Sequence, residues 1–431
     1  MTTLKRRDFL KALTAGGLVL MSGIPARSWG AAANVVVVGG GTGGATVAKY
    51  LKIADPTINV TLIEKNPYYY TCYMSNEVLS GDRQLDSLKF DYEGLKKRGV
   101  NVVIAEVTGI DANARVVQTS AGNFNYDRCV VSPGIDYRYD SIAGYNATLA
   151  EESIPHAWKA GTQTSLLRAQ LQAMPNGGTF VLVAPPNPYR CPPAPYERAS
   201  QVANYFKKYK PNSKVLIVDP KLTFTKQALF EEAWMKLYSY GSANALIEWV
   251  SGADKTVLSL DAAQKRVTTS GGQNFSAAVL NIIPAQKAGV LAFTAGLTDD
   301  SGWCPVELDS FESTLKPNIH VIGDACTANP LPKSGFAANS EAKACALAIA
   351  ALLNGREPGR TSFNNGCYSV VGDNYAISIV AIYRLAADRL SIEAIPNSGG
   401  TSALGGSDED HLIDAQYAYS WYNNFTRDVF M

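Results

Sequence analysis

The segment Asn34–Gly44 reads N-V-V-V-V-G-G-G-T-G-G, a run of valines followed by a cluster of glycines. Four adjacent valines predict one buried strand, because a half-exposed edge strand would alternate apolar and polar side chains. Gly39, Gly41 and Gly44 then permit a tight turn, a close approach of a pyrophosphate to the backbone, and close packing of the next helix on the strand. The N-terminus of that helix offers free N–H groups to phosphate.

A second predicted strand follows this helix and ends in an acid. It covers Val60–Ile63, and Glu64 stands twenty residues after Gly44. A carboxylate at this point can accept hydrogen bonds from both hydroxyls of an adenosine ribose. The glycine pattern alone would also suit a structural turn, but strand, glycines, helix, strand and acid in this order predict a dinucleotide site.

The loop after Glu64 occupies the place where a flavin ring would extend beyond the ribose and phosphates. It runs from Lys65 to Asn76 and holds Cys72 among tyrosines. Cys72 is either an ordinary packed thiol or the sulfur bonded to the 8α-methyl carbon of a flavin.

Two later strands complete this half of the chain. Val102–Val107 is a predicted third strand, with Val107 placed to meet an adenine. Tyr126–Gly134 is a strand that ends in a turn at Gly134 and closes the first nucleotide-binding half. Cys129 lies inside that strand and is expected to be part of the core.

A second nucleotide-binding-like unit follows, with strands at Thr179–Ala184 and Lys214–Val218, a helix at Ala199–Lys208 and a terminal acid at Asp219. Where a nicotinamide cofactor would need glycines, Pro185–Pro193 reads P-P-N-P-Y-R-C-P-P. Proline supplies no N–H group and fixes φ, so this turn cannot cradle a pyrophosphate. We expect the fold to persist while NAD(P)H binding is lost.

A cysteine and a glutamate stand where the second unit lacks its glycines. Cys191 lies among the prolines, and Glu197 follows six residues later near a helix start. Glu197 is either a base that accepts a proton from an incoming thiol, or a solvated first-turn acid favoured by the helix dipole.

A second flavin signature lies further along the chain. Pro317–Asp324 predicts a strand that ends in Gly323-Asp324, where the aspartate can bond a ribityl chain and the glycine allows close approach. Pro332–Asn339 then opens an alanine-rich helix that continues to Leu353, whose N-terminus would favour negative charge at the pyrimidine edge of a flavin. With the first motif, this predicts FAD rather than NAD.

The tail has a different character. It alternates predicted strands at Tyr368–Val371 and Tyr375–Tyr383 with a Gly/Ser-rich loop near Pro396–Gly406, and ends in an aromatic helix. Cys367 is expected just before the first of these strands.

Composition limits the other possibilities. The 431 residues, 46% of them hydrophobic, suffice for two or three domains. Without residues 1–30, 34 basic side chains face 37 acidic ones, a net charge of about −3, and no basic block suggests nucleic acid. Three scattered histidines argue against a zinc enzyme, and without C-x-x-C-H the chain attaches no c-type haem itself.

The first thirty residues predict an export signal. Lys5–Lys11 carries paired arginines, the apolar run Ala12–Met21 follows, and small residues surround Gly30. This is typical of a twin-arginine signal, and a cytosolic amphipathic tail is the alternative. We therefore expect a periplasmic protein without an integral membrane anchor, in which the seven cysteines are free to form disulfides.

The chain resembles the flavoprotein subunit of flavocytochrome c sulfide dehydrogenase over essentially its whole mature length. The matching strings are V-V-V-V-G-G-G-T-G-G-A, Y-Y-T-C-Y, Y-D-R-C-V-V, Y-R-C-P-P-A-P-Y-E-R-A-S-Q-V, G-W-C-P-V, H-V-I-G-D-A, P-K-S-G and Q-Y-A-Y-S-W-Y-N-N. The resemblance implies sulfide oxidation, with electrons passed to a separate c-type cytochrome subunit that carries the haem and forms a heterodimer with this chain.

The same resemblance implies roles for individual residues. Cys72 would carry FAD through an 8α-S-cysteinyl thioether, Cys191 and Cys367 would form a redox-active disulfide beside the flavin, and Trp421 would lie near the ring. We assign the persulfide to Cys191 and the flavin side to Cys367. The residues assigned to catalysis are Cys191, Cys367 and Glu197; those assigned to cofactor binding are Gly39, Gly41, Gly44, Glu64, Lys65, Cys72, Val107, Gly134, Gly323, Asp324, Lys333, Gly335, Asn339 and Trp421; no metal site is predicted.

The predicted fold class is α/β, with two Rossmann-like, glutathione-reductase-like domains and a C-terminal α+β interface domain. The boundaries are residues 31–150 with 286–355 for the FAD domain, 151–285 for the second Rossmann-like domain and 356–431 for the interface domain. Three rival functions are a membrane-surface sulfide:quinone reductase, an NAD(P)H-dependent disulfide or persulfide reductase, and a flavin-bearing subunit that only scaffolds a cytochrome.

Overall fold

A five-stranded parallel sheet is built around the valine strand. The structure is a computed structural model that describes residues 32–431, so the predicted signal at 1–30 lies outside the described residues. In spatial order the strands are Ile319–Val321, Arg128–Val131, Asn34–Val38, Asn59–Glu64 and Asn101–Ile104. The helix Thr42–Ala54 makes the crossover between Asn34–Val38 and Asn59–Glu64, as parallel pairing requires. Val35–Val38 is fully buried, as the run of valines predicts.

A second parallel sheet repeats this arrangement with four strands. In spatial order they are Ile247–Ser251, Lys214–Asp219, Thr179–Val183 and Val279–Ile282. The helix Ala194–Tyr209 connects Thr179–Val183 to Lys214–Asp219, and Gln227–Tyr238 follows the latter strand. Two parallel sheets with crossover helices confirm the predicted α/β class with two Rossmann-like units. The predicted domain boundaries stay predictions.

Small sheets complete this region, and all are antiparallel except the parallel pair Cys304–Pro305 with Cys326–Thr327. The three-stranded sheets are Val107–Asp111, Val116–Thr119 and Gly122–Asn125, and Val257–Asp261, Arg266–Thr269 and Asn274–Ser276; the two-stranded ones are Ile135–Tyr137 with Gln286–Ala288, Tyr69–Tyr70 with Lys89–Phe90, and Cys304–Pro305 with Cys326–Thr327. The single strand predicted at Val102–Val107 is wrong in its extent. Asn101–Ile104 ends the parallel sheet, and Val107 begins a separate antiparallel sheet.

The C-terminal region is an antiparallel sheet covered by a helix. Its strands are Ser362–Gly372, Tyr375–Leu385, Ile392–Ala394 and Gly400–Thr401, and the helix is Asp408–Phe430. Cys367 lies inside the first strand and pairs with Ile379, so its predicted place before the strand is wrong. The polar segment Ser362–Gly366 is a weak strand former by itself, and pairing with the more apolar Tyr375–Leu385 extends the strand through it.

One helix forms the centre of the core. Gly335–Leu353 packs against Thr42–Ala54, and it is the one helix among residues 32–431 that is long and apolar enough to cross a membrane. Because 67% of its most apolar 18-residue stretch is buried inside the protein, it matches the core helix of a globular fold. The other helices are Asn76–Ser80, Glu93–Lys96, Ala147–Glu152, Thr162–Ala173 and Val290–Thr294.

Candidate functional site

A cleft of about 580 Å³ opens at the carboxyl ends of the first parallel sheet, where doubly wound folds bind nucleotides. It is formed by the glycine turn, the loop after Glu64 and the segment Gly323-Asp324. The predicted cofactor residues that line it are Gly39, Gly41, Glu64, Lys65, Cys72, Gly134, Gly323, Asp324 and Gly335. Its volume is that of a typical cofactor site.

The glycine turn requires its glycines for steric reasons. Gly39 has φ +97°, and a Cβ there would lie 2.4 Å from the backbone oxygen of Ser132. A Cβ on Gly44 would lie 1.7 Å from the backbone oxygen of Gly39. Since both obstacles are backbone atoms, neither position accepts a side chain unless the turn moves.

Glu64 is held at the end of its strand with its carboxylate in the cleft. One oxygen accepts a hydrogen bond from the Gly40 N–H at 2.7 Å, and the other accepts one from the Asn66 N–H at 2.9 Å. The acid is therefore fixed beside the glycine turn, as the ribose-binding acid is in dinucleotide-binding folds.

Asp324 provides a direct test of whether a flavin dinucleotide fits the cleft. Its Oδ1 is buried and has no hydrogen-bond partner among the described residues. Burial raises the pKa of this carboxyl group, against the charges of Arg190 and Lys333. A buried acceptor without a donor is costly by itself, and the hydroxyls of a ribityl chain would supply the missing donor. The residues of the cleft therefore fit FAD.

Five predicted cofactor residues do not line the cleft, and one of them, Trp421, lines the smaller cavity described below. Gly44 lies within its helix and Val107 in the antiparallel sheet. Lys333 Nζ donates to the backbone oxygens of Asp324 at 2.9 Å and Cys326 at 2.8 Å, so it supports the Asp324 segment from behind. The remaining one, Asn339, is buried and donates from Nδ2 to Thr46 Oγ1 and Asp428 Oδ2, each at 3.0 Å.

A second, smaller cavity of about 90 Å³ adjoins the cleft. It brings together the three predicted catalytic residues, Cys191, Cys367 and Glu197, with Trp421. The residues that line both cavities are Cys72, Tyr73, Arg190 and Gly335. The thiol pair therefore lies in a pocket separated from the cofactor cleft by Cys72 and its neighbours.

Cys191 and Cys367 are both thiols in the structure, and their side chains lie next to each other in this pocket. The two thiols are close enough for a hydrogen bond between their side chains. That bond, with the nearby charge of Lys226, lowers the pKa of Cys367 below that of an ordinary cysteine despite burial. The same bond and burial raise the pKa of Cys191. The predicted disulfide stays a prediction, but its two sulfurs are neighbours.

Glu197 is buried in the first turn of the helix Ala194–Tyr209, with 7% of its surface exposed. Burial, then the negative charge of Cys367, raise its pKa to about 8, while Lys226 and a hydrogen bond from Asn76 oppose the rise. The solvated-acid alternative is therefore wrong, because the side chain faces the pocket. A carboxyl group poised near neutrality can accept and return a proton.

Two sequence models of one family match this chain. Residues 164–284 match the central region of the flavoprotein chain of sulfide dehydrogenase (flavocytochrome c), and residues 360–430 match the flavin-binding region of flavocytochrome c sulphide dehydrogenase. These two regions of the chain belong to this flavoprotein family. Residues 33–171 match the pyridine nucleotide-disulphide oxidoreductase family as well. The flavin-binding region and the geometry of the cleft together identify FAD as the cofactor.

More distant relatives share parts of the sequence or the fold. The type II NADH:quinone oxidoreductase of Staphylococcus saprophyticus is 40% identical over 114 residues, which are 26% of this chain and 28% of that relative. The sulfide:quinone oxidoreductase of Aquifex aeolicus has a TM-score of 0.66 and 18% identity over 92% of both chains. An NAD-dependent persulfide reductase from A. fulgidus has a TM-score of 0.60 and 16% identity, over 90% of this chain and 77% of that one. These two likenesses show a common fold.

Trp421 forms one wall of the thiol pocket. Its ring stacks on Phe336 with the centroids 6.1 Å apart and on Phe425 at 4.9 Å. Its indole Nε1 is buried without a hydrogen-bond partner among the described residues. The indole is therefore a fixed donor in the wall of the thiol pocket.

Two cationic residues of the site were missed by the sequence analysis. Arg190 lines both cavities, and its guanidinium group donates to the Trp158 backbone oxygen. Its position next to Cys191 was a usable signal. Lys226 contacts Cys367 from 141 residues away in the sequence, and no local pattern marks it.

The remaining cysteines are buried thiols. The predicted core position of Cys129 is confirmed, and Cys326 and Cys345 are buried as well. Cys304 is buried and pairs in register with Cys326 in a two-stranded parallel bridge. No group of three or more potential metal ligands occurs within residues 32–431.

Proposed function

We propose that the chain oxidises sulfide to sulfur or polysulfide through a Cys191–Cys367 disulfide and passes the electrons by way of FAD to a c-type cytochrome subunit. One observation carries the proposal. The side chains of Cys191 and Cys367 lie next to each other inside a small pocket that adjoins the dinucleotide cleft at Cys72. A disulfide that only stabilised the fold would not need to line a pocket next to the cofactor cleft.

The residues of the pocket suit attack by hydrosulfide on a disulfide. A pocket of about 90 Å³ favours a very small nucleophile. Sulfur exchange is fastest when the departing sulfur is a stable thiolate, and the lowered pKa of Cys367 makes it the better leaving group. Attack on Cys191 then leaves the persulfide on Cys191, and the ionised form of the buried Glu197 takes the proton of an incoming H₂S. FAD, when bound, supplies an acceptor for an electron pair that can be released as single electrons.

Cys72 is the proposed attachment point of FAD, through an 8α-S-cysteinyl thioether. Its support is position: Cys72 lines both cavities and is partly accessible, unlike the buried thiols elsewhere. Mass spectrometry of the tryptic peptide that contains Cys72 tests this directly. A peptide that carries the mass of FAD supports the thioether, and an unmodified peptide in flavin-loaded protein contradicts it.

The proposed partner is a periplasmic c-type cytochrome subunit, met after export by the twin-arginine route. The support is the family itself, whose description is that of a flavocytochrome c, and the absence of a haem-attachment motif from this sequence. Turnover of sulfide with cytochrome c as acceptor, compared with turnover on a soluble quinone, tests the acceptor. Faster turnover on the quinone would favour a sulfide:quinone reductase.

The central experiment is anaerobic reduction of the protein-bound flavin by sulfide. Bleaching of the flavin absorbance in the absence of any cytochrome is expected, because the thiol pair and FAD suffice for the first half of the reaction. If sulfide does not bleach the flavin, the proposed sulfide oxidation is contradicted. The chain would then be better explained as a flavin-bearing subunit that only scaffolds a cytochrome.

A further inference from the structure

Lys226 lies at the start of the helix Gln227–Tyr238, with its ammonium group against the strand that carries Cys367. Nζ lies 2.8 Å from Ser369 Oγ, 3.4 Å from the Cys367 backbone oxygen and 3.9 Å from Cys367 Sγ. It also donates to the Ile377 backbone oxygen at 3.3 Å. No carboxylate of residues 32–431 lies at ion-pair distance from it, so the negative charge that this ammonium group can contact directly is a Cys367 thiolate.

The backbone at this contact is unusual. Lys226 has φ +63° and Cys191 has φ +58°, and neither is a glycine. Residues other than glycine seldom have a positive φ. Those that do concentrate at functional sites, where the surrounding contacts hold the backbone in place. Two such residues therefore approach Cys367, one with a thiol and one with a charge.

The other groups around Cys367 do not replace this charge. The charged side chains that line the pocket are Arg190, Glu197 and Arg198. Arg198 is committed to the backbone oxygens of His156 and Ala157 and to Asn281, and Glu197, with Glu77 beyond it, opposes a second negative charge. The side chains that reach the pocket from the helices Gly335–Leu353 and Asp408–Phe430 are Phe336 and Trp421, which are uncharged.

We propose that Lys226 is a positioning residue that holds Cys367 as a thiolate and so directs sulfide to Cys191. The inference rests on the proposed function. It adds the reason why one sulfur of the disulfide is attacked and the other leaves as a thiolate. In the step concerned, HS⁻ attacks Cys191 Sγ, a bond forms between the sulfide sulfur and Cys191, and the Cys191–Cys367 bond breaks. Its electron pair leaves on Cys367, beside the Lys226 ammonium group, and Cys191 becomes the persulfide.

The test uses flavin-loaded, fully reduced protein and needs no sulfide. Iodoacetamide alkylation of Cys367 and of Cys191 is followed against pH by quantitative peptide mass spectrometry. A cation at contact distance lowers the pKa of an acid by about one to three units, so Lys226→Met is expected to raise the midpoint for Cys367 by at least about one pH unit. Below the midpoint this corresponds to roughly a tenfold slower alkylation. Lys226→Arg is expected to restore the wild-type midpoint.

Lys210→Met is the matched control, because Lys210 is also a buried lysine whose Nζ is held by backbone oxygens, those of Gln172 and Met174. It lines neither cavity, and its removal should leave the midpoint unchanged. An unchanged midpoint in Lys226→Met, or an equal shift in Lys210→Met, would overturn the proposal. Should Lys226→Met not fold, Lys226→Gln keeps hydrogen bonding to the carbonyl oxygens without the charge and gives the same readout.

A second measurement locates the persulfide after one equivalent of sulfide is added to oxidised protein. The wild type is expected to carry it on Cys191, and Lys226→Met on both cysteines. A wild-type persulfide on Cys367 would overturn the proposed direction of attack. A clear alkylation shift with no persulfide on either cysteine would contradict the proposed function while supporting the electrostatic role of Lys226, so the two failures are distinguishable.

Discussion

The two parallel sheets of this protein share one plan, a strand, a turn, a helix and a strand that ends in an acid, but only the first forms a dinucleotide cleft. In the first, the turn is built on Gly39 and Gly44 and the acid Glu64 faces the cleft. In the second, prolines fill the turn and the acid Asp219 is fully buried. Asp219 is already bonded to the Tyr196 hydroxyl at 2.6 Å and to Lys221 Nζ at 2.7 Å.

This difference shows how a nucleotide-binding unit can be used for other chemistry. In the first half the helix N-terminus faces the space for phosphates. In the second, the turn before the helix carries Cys191, and the first turn of the helix carries Glu197. The thiol of Cys191 and the carboxyl group of Glu197 thus lie where a pyrophosphate would bind in a nucleotide-binding unit. The fold is common to both halves, and the turn residues decide the chemistry.

The largest effect is expected from a substitution in the glycine turn of the first parallel sheet. Gly44→Ala would place a methyl group 1.7 Å from the Gly39 backbone oxygen, so the turn must move and we expect loss of nearly all bound FAD. Flavin absorbance per mole of purified protein measures this. Gly400→Ala is the control, because a Cβ there meets nothing within 4 Å. Full flavin content in Gly44→Ala would show that the turn does not bind the cofactor.

The next effect removes the sulfur from the turn of the second half. Cys191→Ser is expected to slow anaerobic flavin reduction by sulfide at least about 1,000-fold, because no disulfide can then form. Stopped-flow measurement of the flavin absorbance gives the rate. Cys345→Ala, at a buried thiol that lines neither cavity, is the control. A variant that keeps its rate and only loses stability would identify the pair as a structural staple.

A smaller effect concerns the acid of the second half. The pKa of buried Glu197, about 8 against an ordinary value of 4.5, means that its contribution to stability is complete below about pH 4.5 and is lost as the pH rises through 8. Glu197→Gln stays neutral, so its free energy of unfolding relative to wild type should rise across this window, by an amount on the order of 4 kcal/mol. Denaturant titrations at pH 4.5, 6.5 and 8.5 measure it.

The exposed Glu93→Gln provides the baseline for the same substitution elsewhere. A constant difference between Glu197→Gln and wild type at all three pH values would mean that the carboxyl group is not held protonated by the fold.

The last prediction is that NADH has no effect, and it tests the second parallel sheet. NADH should neither reduce the flavin nor change its spectrum, because the proline turn offers too few N–H groups and Asp219 has no free acceptor for a ribose. Anaerobic titration with NADH, followed by absorbance, tests this. Any NADH-dependent bleaching would erase the distinction between the halves and revive an NAD(P)H-dependent reductase.

Much of the first half was predictable because its signals are local. A turn that only glycine permits, an apolar strand before it and an acid after the next strand are properties of short segments, and the structure has all of them. The proline turn likewise excluded a phosphate cradle by the missing N–H groups alone. The sequence by itself therefore determined the α/β class, the position of the cleft and the difference between the two halves.

Tertiary structure alone decided how the thiol pocket is assembled. Cys191 and Cys367 are 176 residues apart, and they meet because the strand Ser362–Gly372 continues through Cys367, which local propensity did not predict. Lys226 reaches that sulfur from a third segment. Side-chain contact between distant segments depends on which strands pair and how helices pack on them, and these are sums over many non-local interactions that no single segment encodes.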